Sequence, residues 1–325
     1  MQIFENTNIN FVRWRWHALA LSALIIGAGL LLIIRQGGPK LGIEFEGGSI
    51  VIVEFAQMPS IQDVRSALGR LPRGGESAIV QQYGAASDQQ IMIRVPLVGA
   101  EEGSGLSDVA DSVIAALREA NLGEFQEEDR EIVGPIVGEQ LRRQGMLATV
   151  LALAGILVYI AFRFQLGFAI GAVVATAHDI FVTLAFMAFF GYDLTLNVIA
   201  AILTIAGYSV NDTIVVFDRI RENLRLQRRD TLENIVNLAV NQTLARTVIT
   251  AGTTLFAVIA LFAFGGEVLR GMAFALIVGV ASGTYSTVFI ASAIAVIWQG
   301  KRPIKGQAHT SAATPPRRSR RAQAS

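Results

Sequence analysis

The sequence predicts a polytopic α-helical membrane protein with six transmembrane helices and one α+β head inserted between the first and the second. Three observations carry that prediction. The 325 residues are 52% hydrophobic and only 16% charged, whereas soluble domains carry about 25% charged residues. Six apolar stretches reach the ~20 residues that cross a bilayer. Between the first two lies a long polar interval whose periodicity alternates between strand and helix.

The spans are placed at Trp16–Ile34, Gly145–Phe162, Leu166–Phe190, Leu194–Phe217, Thr247–Phe264 and Gly271–Trp298. The first reads as an uncleaved signal anchor, because Ile33-Ile34-Arg35-Gln36-Gly37 offers no small-x-small cleavage site. Orientation follows from Lys and Arg in the short loops. Arg13 and Arg15 precede the first span, with Trp14 and Trp16 as interfacial anchors, and Arg163 follows the second. Arg219, Arg221, Arg225, Arg228, Arg229 and Arg246 flank the link between the fourth and fifth, and Lys301, Arg302 and Lys305 follow the sixth. Gly191-Tyr192-Asp193 carries no basic residue, and Gly265–Arg270 only one. Both termini are therefore expected in the cytoplasm. The division is a cytoplasmic N-terminus (1–15), a first span (16–34), an exported head (35–143), a five-span bundle (144–300) with a cytoplasmic amphipathic link (218–246), and a basic tail (301–325).

The head is expected to fold on its own core. Ile50–Phe55, Ala78–Tyr83, Gln90–Val95 and Phe125–Val133 read as strands. Ser60-Ile61-Gln62-Asp63 resembles a capping box opening a helix with Ile61, Val64, Leu68 and Leu71 on one face. Ser107 is expected to cap a second helix, with Val109, Val113, Ala116 and Leu117. The order β-α-β-β-α-β is the split arrangement of ferredoxin-like domains. The head has no histidine, and its acidic residues lack calcium-loop spacing, so a solvated acidic surface is expected. Ahead of it, Gly42-Ile43-Glu44-Phe45-Glu46-Gly47-Gly48 joins the first span to the first strand, and its paired glycines permit a sharp turn.

There is no cysteine, which excludes disulfides, thiolate metal sites and a cysteine nucleophile. No nucleic-acid module is present. The tail arginines Arg317, Arg318, Arg320 and Arg321 suit a solvated tail, anionic lipid or a ribosomal surface.

Polar residues inside the spans are few, so each asks for a reason. The third span holds His178-Asp179 with Thr176 and Thr183, and the fourth holds Asn197, Thr204, Ser209, Asn211, Asp212 and Thr213. The fifth begins with Arg246-Thr247 and carries Thr250, Thr253 and Thr254. Asp212 lies six residues inside the charged end of its helix, roughly 9 Å deep. A carboxylate there costs about 2.5–3.5 kcal/mol even on the lenient insertion scale. Three readings fit it: a static ion pair with Arg246, a proton-accepting carboxylate whose protonation repacks helices, or a side chain that reaches water. His178-Asp179 reads as a relay partner or a polar helix contact, with Ser209, Asn211 and Thr213 beside Asp212. Gly167-x-x-x-Gly171 and Gly279-x-x-x-Gly283 put small residues on helix faces for close packing. Leu232, Ile235, Val236, Ala239, Val240 and Leu244 form an apolar stripe behind an Asp230-Thr231 cap, expected as an amphipathic helix on the cytoplasmic face or docked on the span ends.

Gly207–Asn223, Asn241–Thr247, Phe264–Gly271 and the Gly42–Gly48 junction together resemble the SecF side of the bacterial SecD/SecF protein-export family, over residues ~5–300. Glu44 stands where that family usually has Asp. The resemblance implies an RND-type half in the bacterial inner membrane, with its head periplasmic. It implies association with SecD, and through it with the SecYEG channel, the SecA motor and YajC, on a translocating polypeptide. It further implies proton-driven assistance of export, with Asp212 and Arg246 in the proton path and Gly42, Glu44, Phe45, Gly47 and Gly48 coupling bundle to head. No cofactor beyond the proton and no enzymatic role are expected. Alternatives are a structural subunit that only stabilises SecD, an intramembrane serine protease using Ser209 and His178, and a small-molecule exporter of the same superfamily.

Overall fold

The computed structural model describes residues 7–69, 71, 75, 78–84, 88–96, 106–163, 166–227 and 230–299. The basic tail at 301–325, Glu101, Glu102, Arg228 and Arg229 fall outside these residues. The order of elements is α1 (Arg15–Arg35), α2 (Ile43–Glu46), β1 (Gly48–Phe55), α3 (Ile61–Leu68), β2 (Ile79–Tyr83), β3 (Gln90–Pro96), α4 (Leu106–Glu119), β4 (Phe125–Val133), α5 (Pro135–Arg163), α6 (Leu166–Phe190), α7 (Leu196–Leu226), α8 (Leu232–Phe264), α9 (Gly266–Ser286) and α10 (Ser292–Gln299). Six helical segments are long and apolar enough to span a membrane, the sixth running from α9 into α10.

The head forms the sheet β2-β3-β1-β4, antiparallel throughout. This is the expected split β-α-β-β-α-β order. One face of β1 and β3 (Val51, Val53, Phe55, Ile91, Ile93, Val95) packs on Val64 and Leu68 of α3 and on Ala110, Val113 and Leu117 of α4. Ser60 caps α3, its Oγ accepting from the Asp63 N–H at 3.1 Å. The second helix differs from expectation: it opens at Leu106, which places Ser107 inside the first turn.

Two spans run longer than their apolar stretches predict. At ~1.5 Å per residue, α7 (31 residues) and α8 (33 residues) are roughly 46 and 50 Å long. Each exceeds the ~30 Å hydrocarbon thickness. The expected separate link at 218–246 is thus the continuation of these two helices. The reason is packing: Ile235, Val236, Ala239 and Val240 bury against Phe217 and Ile220 of α7 and against Phe11 and Val12 ahead of α1. That burial makes a continuous helix more favourable than a surface helix. The segment ahead of α1 is pinned to the same stretch, with Asn241 bonding both the N–H and the C=O of Ile9, and Asn237 accepting from the Val12 N–H. The helix α5 also starts ten residues before its apolar stretch, with Pro135 in the first turn, where its missing N–H is harmless.

The sixth span contains a π-helical turn at Thr287–Ala291, where the Ser292 hydroxyl back-bonds to the Val288 carbonyl. Gly279 and Gly283 face α7: a Cβ on Gly279 would overlap Ile205, and one on Gly283 would touch Ser209. Gly171 faces the Ala291 carbonyl and the Phe217 ring. Gly29 of α1 sits directly on Ala185 of α6, so close that a Cβ would overlap the Ala185 backbone. We predict that Gly29→Val forces α1 off α6 at a cost of about 1–3 kcal/mol. Gly27→Val, which meets open space, leaves stability unchanged. Thermal unfolding of the detergent-solubilised protein separates the two, and equal melting temperatures would contradict the packing.

Candidate functional site

Asp212 sits on α7, about 24 Å along the helix from its first residue. One carboxylate oxygen, Oδ1, accepts from Thr247 Oγ1 of α8 at 2.8 Å. The other, Oδ2, is buried and has no donor in good hydrogen-bond geometry; the Thr287 hydroxyl is the nearest candidate, and it is engaged with Thr213 instead. The expected Asp212–Arg246 ion pair is not formed: among the described residues no Arg nitrogen lies within 4 Å of this carboxylate. Arg246 and Thr247 are consecutive on α8, so their side chains diverge by about 100°. Burying Thr247 against α7 turns Arg246 out to the exposed face. Arg246 acts on Asp212 only at longer range. It lines an open groove of about 420 Å³ with Val215, Asp218, Arg219, Glu222, Gln242 and Thr243. Those residues begin one turn beyond Asp212 on α7 and one turn before Thr247 on α8. Thr213, one residue on, bonds Thr287 of the π-helical turn at 3.1 Å. Asn211 lies on the exposed face of α7 and does not join the site.

Asp179 makes a separate and fully saturated node. It is completely buried on α6. Its Oδ2 accepts from Ser209 of α7 at 2.5 Å and Ser286 of α9 at 2.7 Å. Its Oδ1 accepts from Ser282 of α9 at 2.8 Å and lies 2.9 Å from His178 Nδ1. An ionised carboxylate offers about four acceptor sites, and here each has a donor. His178 Nε2 lies 2.8 Å from Ser22 Oγ of α1. With Nδ1–H donating to Asp179, Nε2 is left to accept from Ser22, so the network selects that tautomer. Tyr285 stacks on His178 and donates to the Ala18 carbonyl at 2.9 Å. One carboxylate thereby joins α6 to α1, α7 and α9. Ser22, Ser282, Ser286, Thr287 and Tyr285 were not foreseen as site residues. Their signal is weak, since single hydroxyls in apolar helices more often back-bond to their own backbone.

The junction folds as the single turn α2, with Ile43 and Phe45 buried. Gly47 (φ 74°) and Gly48 (φ 154°) take conformations that side chains rarely adopt, and a Cβ on Gly48 would press on the Val95 carbonyl. Phe45 fills a notch on α5 made by Gly138 and Gly145. The Gly42 N–H donates to the Leu194 carbonyl at 2.9 Å, and the Leu194 N–H to the Lys40 carbonyl at 2.8 Å. This ties the junction to the turn between α6 and α7. Glu44 lies close to Glu131 of β4. Partial desolvation of this exposed side chain, then the charges of Glu44 and Asp129, push the Glu131 carboxyl above the ordinary glutamate range. Arg94 of β3, not foreseen from the sequence, donates to Asp193 at 2.7 Å, to the Leu41 carbonyl at 2.5 Å and to Glu46 at 3.2 Å.

Asp179→Ala should strand three serine hydroxyls and His178, at about 1–3 kcal/mol for each buried donor left unpaired. Asp179→Asn, which keeps one acceptor oxygen, should cost less, and thermal unfolding orders the two. For Glu131 the folded state binds the proton better than the unfolded chain. Its contribution to head stability is therefore full below the ordinary glutamate range and lost as pH rises through the raised value. Hydrogen exchange of β4 amides, corrected for intrinsic rates, should accelerate across that interval and cease to do so in Glu131→Gln.

The family described as "Protein export membrane protein SecD/SecF, C-terminal" matches residues 112–301. Protein translocase subunit SecF from Desulfurispirillum indicum is 41% identical over 295 residues, covering 90% of this chain and 92% of that one. The SecF of Escherichia coli O157:H7 is 37% identical, covering 88% and 87%. The crystal structure of SecDF, a translocon-associated membrane protein from Thermus thermophilus, superposes with a TM-score of 0.80 at 32% identity. It covers 91% of this chain, which spans 39% of the longer SecDF chain. The chain belongs to the SecF family of protein translocase subunits.

Proposed function

We propose that this subunit couples the proton-motive force to late protein translocation, with Asp212 as its proton-binding group. It would act beside SecD in the bacterial inner membrane and assist the SecYEG channel, SecA and a translocating polypeptide, with YajC as a further partner. In this arrangement both termini are cytoplasmic and the head is periplasmic, as the distribution of Arg and Lys favours. No covalent chemistry and no cofactor other than the proton are involved. The observation that carries the proposal is the half-satisfied carboxylate: Asp212 has one donor, Thr247, and one buried oxygen with none. A buried carboxylate left short of donors is poised to take a proton, because the neutral form loses less on desolvation. The groove lined by Arg246 reaches to within one helical turn of it and offers a cytoplasmic approach for water. Asn211 and Arg246, exposed on either side of the Asp212–Thr247 bond, are polar groups that lipid would not solvate. They suit a face covered by SecD.

The energies are adequate. One proton crossing about 100 mV supplies roughly 2.3 kcal/mol. That shifts a two-state equilibrium by about fifty-fold. The structural alternative, in which this subunit only stabilises SecD, draws support from Asp179, which is saturated and suited to holding helices together. In membrane vesicles containing the assembled complex, Asp212→Asn should abolish the proton-motive-force-dependent increment of translocation while co-purification with SecD persists. An undiminished increment sinks the proton-binding reading. Loss of co-purification supports the structural one.

A further inference from the structure

Arg94 makes no sense as a residue of the head alone. Its neighbours in β3, Ile91, Ile93 and Val95, point into the head's core. Alternation along the strand therefore aims Arg94 out of the opposite face. It is nonetheless buried, at 5% exposure. What covers it, and all three of its acceptors, lie outside the head's sheet and helices. They are the Leu41 carbonyl ahead of the junction, Glu46 at the end of α2, and Asp193 in the turn joining α6 to α7. A buried arginine is expensive to desolvate, and an apolar residue would serve head stability at least as well.

The turn it reaches is mechanically placed. Asp193 lies two residues before Thr195, whose Oγ1 caps α7 by accepting from the Val198 N–H. That helix carries Asp212. The same turn is bonded to the junction through Gly42 and Leu194. The head is thus fastened at two points of different character. Phe45 seats it on α5, its ring against Gly145 and its backbone against Gly138. Arg94 holds it to the turn between α6 and α7 by one charge-assisted hydrogen bond, to Asp193, with Glu46 and the Leu41 carbonyl of the junction as its other acceptors.

We infer that Arg94 is a positioning residue that works as a tie rod: movement of the α6–α7 turn relative to α5 pulls on Arg94 and rocks the head about Phe45. The inference rests on the proton-binding role of Asp212 proposed above and adds the route by which that event reaches the head. The tie is permanent through the cycle, because the Arg94–Asp193 bond and a backbone bridge between Leu41 and Leu194 hold it closed together.

The test uses the assembled complex in membranes. Since this chain has no cysteine, spin labels on cysteines introduced in β4 and α5 report the distance from head to bundle. In otherwise wild-type protein, Asp212→Asn, which mimics the protonated carboxyl, should shift that distance distribution. In Arg94→Met the shift and the proton-motive-force-dependent increment should both disappear. Asp193→Asn, at a more exposed site that leaves the head's core untouched, should do the same, so misfolding of the first variant does not decide the matter. Exchanging the charges, Arg94→Asp with Asp193→Arg, should restore part of the shift. A disulfide between Leu41→Cys and Leu194→Cys should leave translocation intact. The tie is overturned if both single variants keep the shift and the increment, or if the disulfide blocks translocation until it is reduced. If Asp212→Asn leaves the increment of the wild-type complex unchanged, the proton-binding role itself fails, a result distinct from either of those.

Discussion

Inside hydrocarbon a polar group has only the protein to satisfy it, and this bundle is organised by how unequally it meets that demand. Asp179 receives four donors from α6, α7 and α9, and through His178 engages α1. Asp212, one helical turn along α7 from Ser209, receives a single donor from α8. The two carboxylates share a neighbourhood yet have opposite consequences. Taking a proton at Asp179 would disturb a network in which every lone pair is used. Taking one at Asp212 alters one hydrogen bond and relieves an oxygen that has none. The first is saturated with donors, and the second is not.

That contrast assigns parts to the helices. The node at Asp179 binds α1, α6, α7 and α9 into a frame, which close contacts at Gly29, Gly279 and Gly283 tighten. Within the spans, the polar attachment of α8 to this frame among the described residues is the Thr247–Asp212 bond. Its other fastenings lie at the far end from the head, where Asn237 and Asn241 hold the segment ahead of α1 and Gln242 accepts from Arg219 and Asn223. The π-helical turn at Thr287 faces the same place, through Thr213. Irregular helix in a span persists where neighbouring groups re-satisfy the backbone, and here it falls beside the carboxylate with the weakest support.

Much of this was legible in the sequence, and the misses have physical causes. Span positions, the strand order of the head and the Ser60 cap follow from hydrophobic period and local capping, which depend on near neighbours in the chain. The continuation of α7 and α8 past their apolar stretches was missed because it depends on Phe11 and Val12, more than 200 residues away from their contacts in α8. Asp212 was legible as a costly residue, but its partner was not. Charge suggested Arg246, while helix phase delivered Thr247. The serines around Asp179 carry no charge and no spacing rule, and only the assembled bundle brings them to one point. Arg94 did leave a trace, as a lone charge in the apolar strand Ile91-Met92-Ile93-Arg94-Val95.

The junction shows why the head and the bundle need each other's chemistry. A flexible glycine linker would let the head drift, and no movement of a helix could then be felt by it. Here the glycines do the reverse. Gly47 and Gly48 adopt backbone conformations that bring β1 close against β3, while Gly138 lets the backbone at Phe45 and Gly47 come within about van der Waals distance of α5. The result is a short connection packed against α5 at Phe45. Such a connection passes on a displacement only if a second point of attachment lies away from it. Arg94 to Asp193 is that point, and it ends on the turn that begins the helix carrying Asp212. A carboxylate within a span and the sheet of the head are thus linked by one helix and one buried guanidinium.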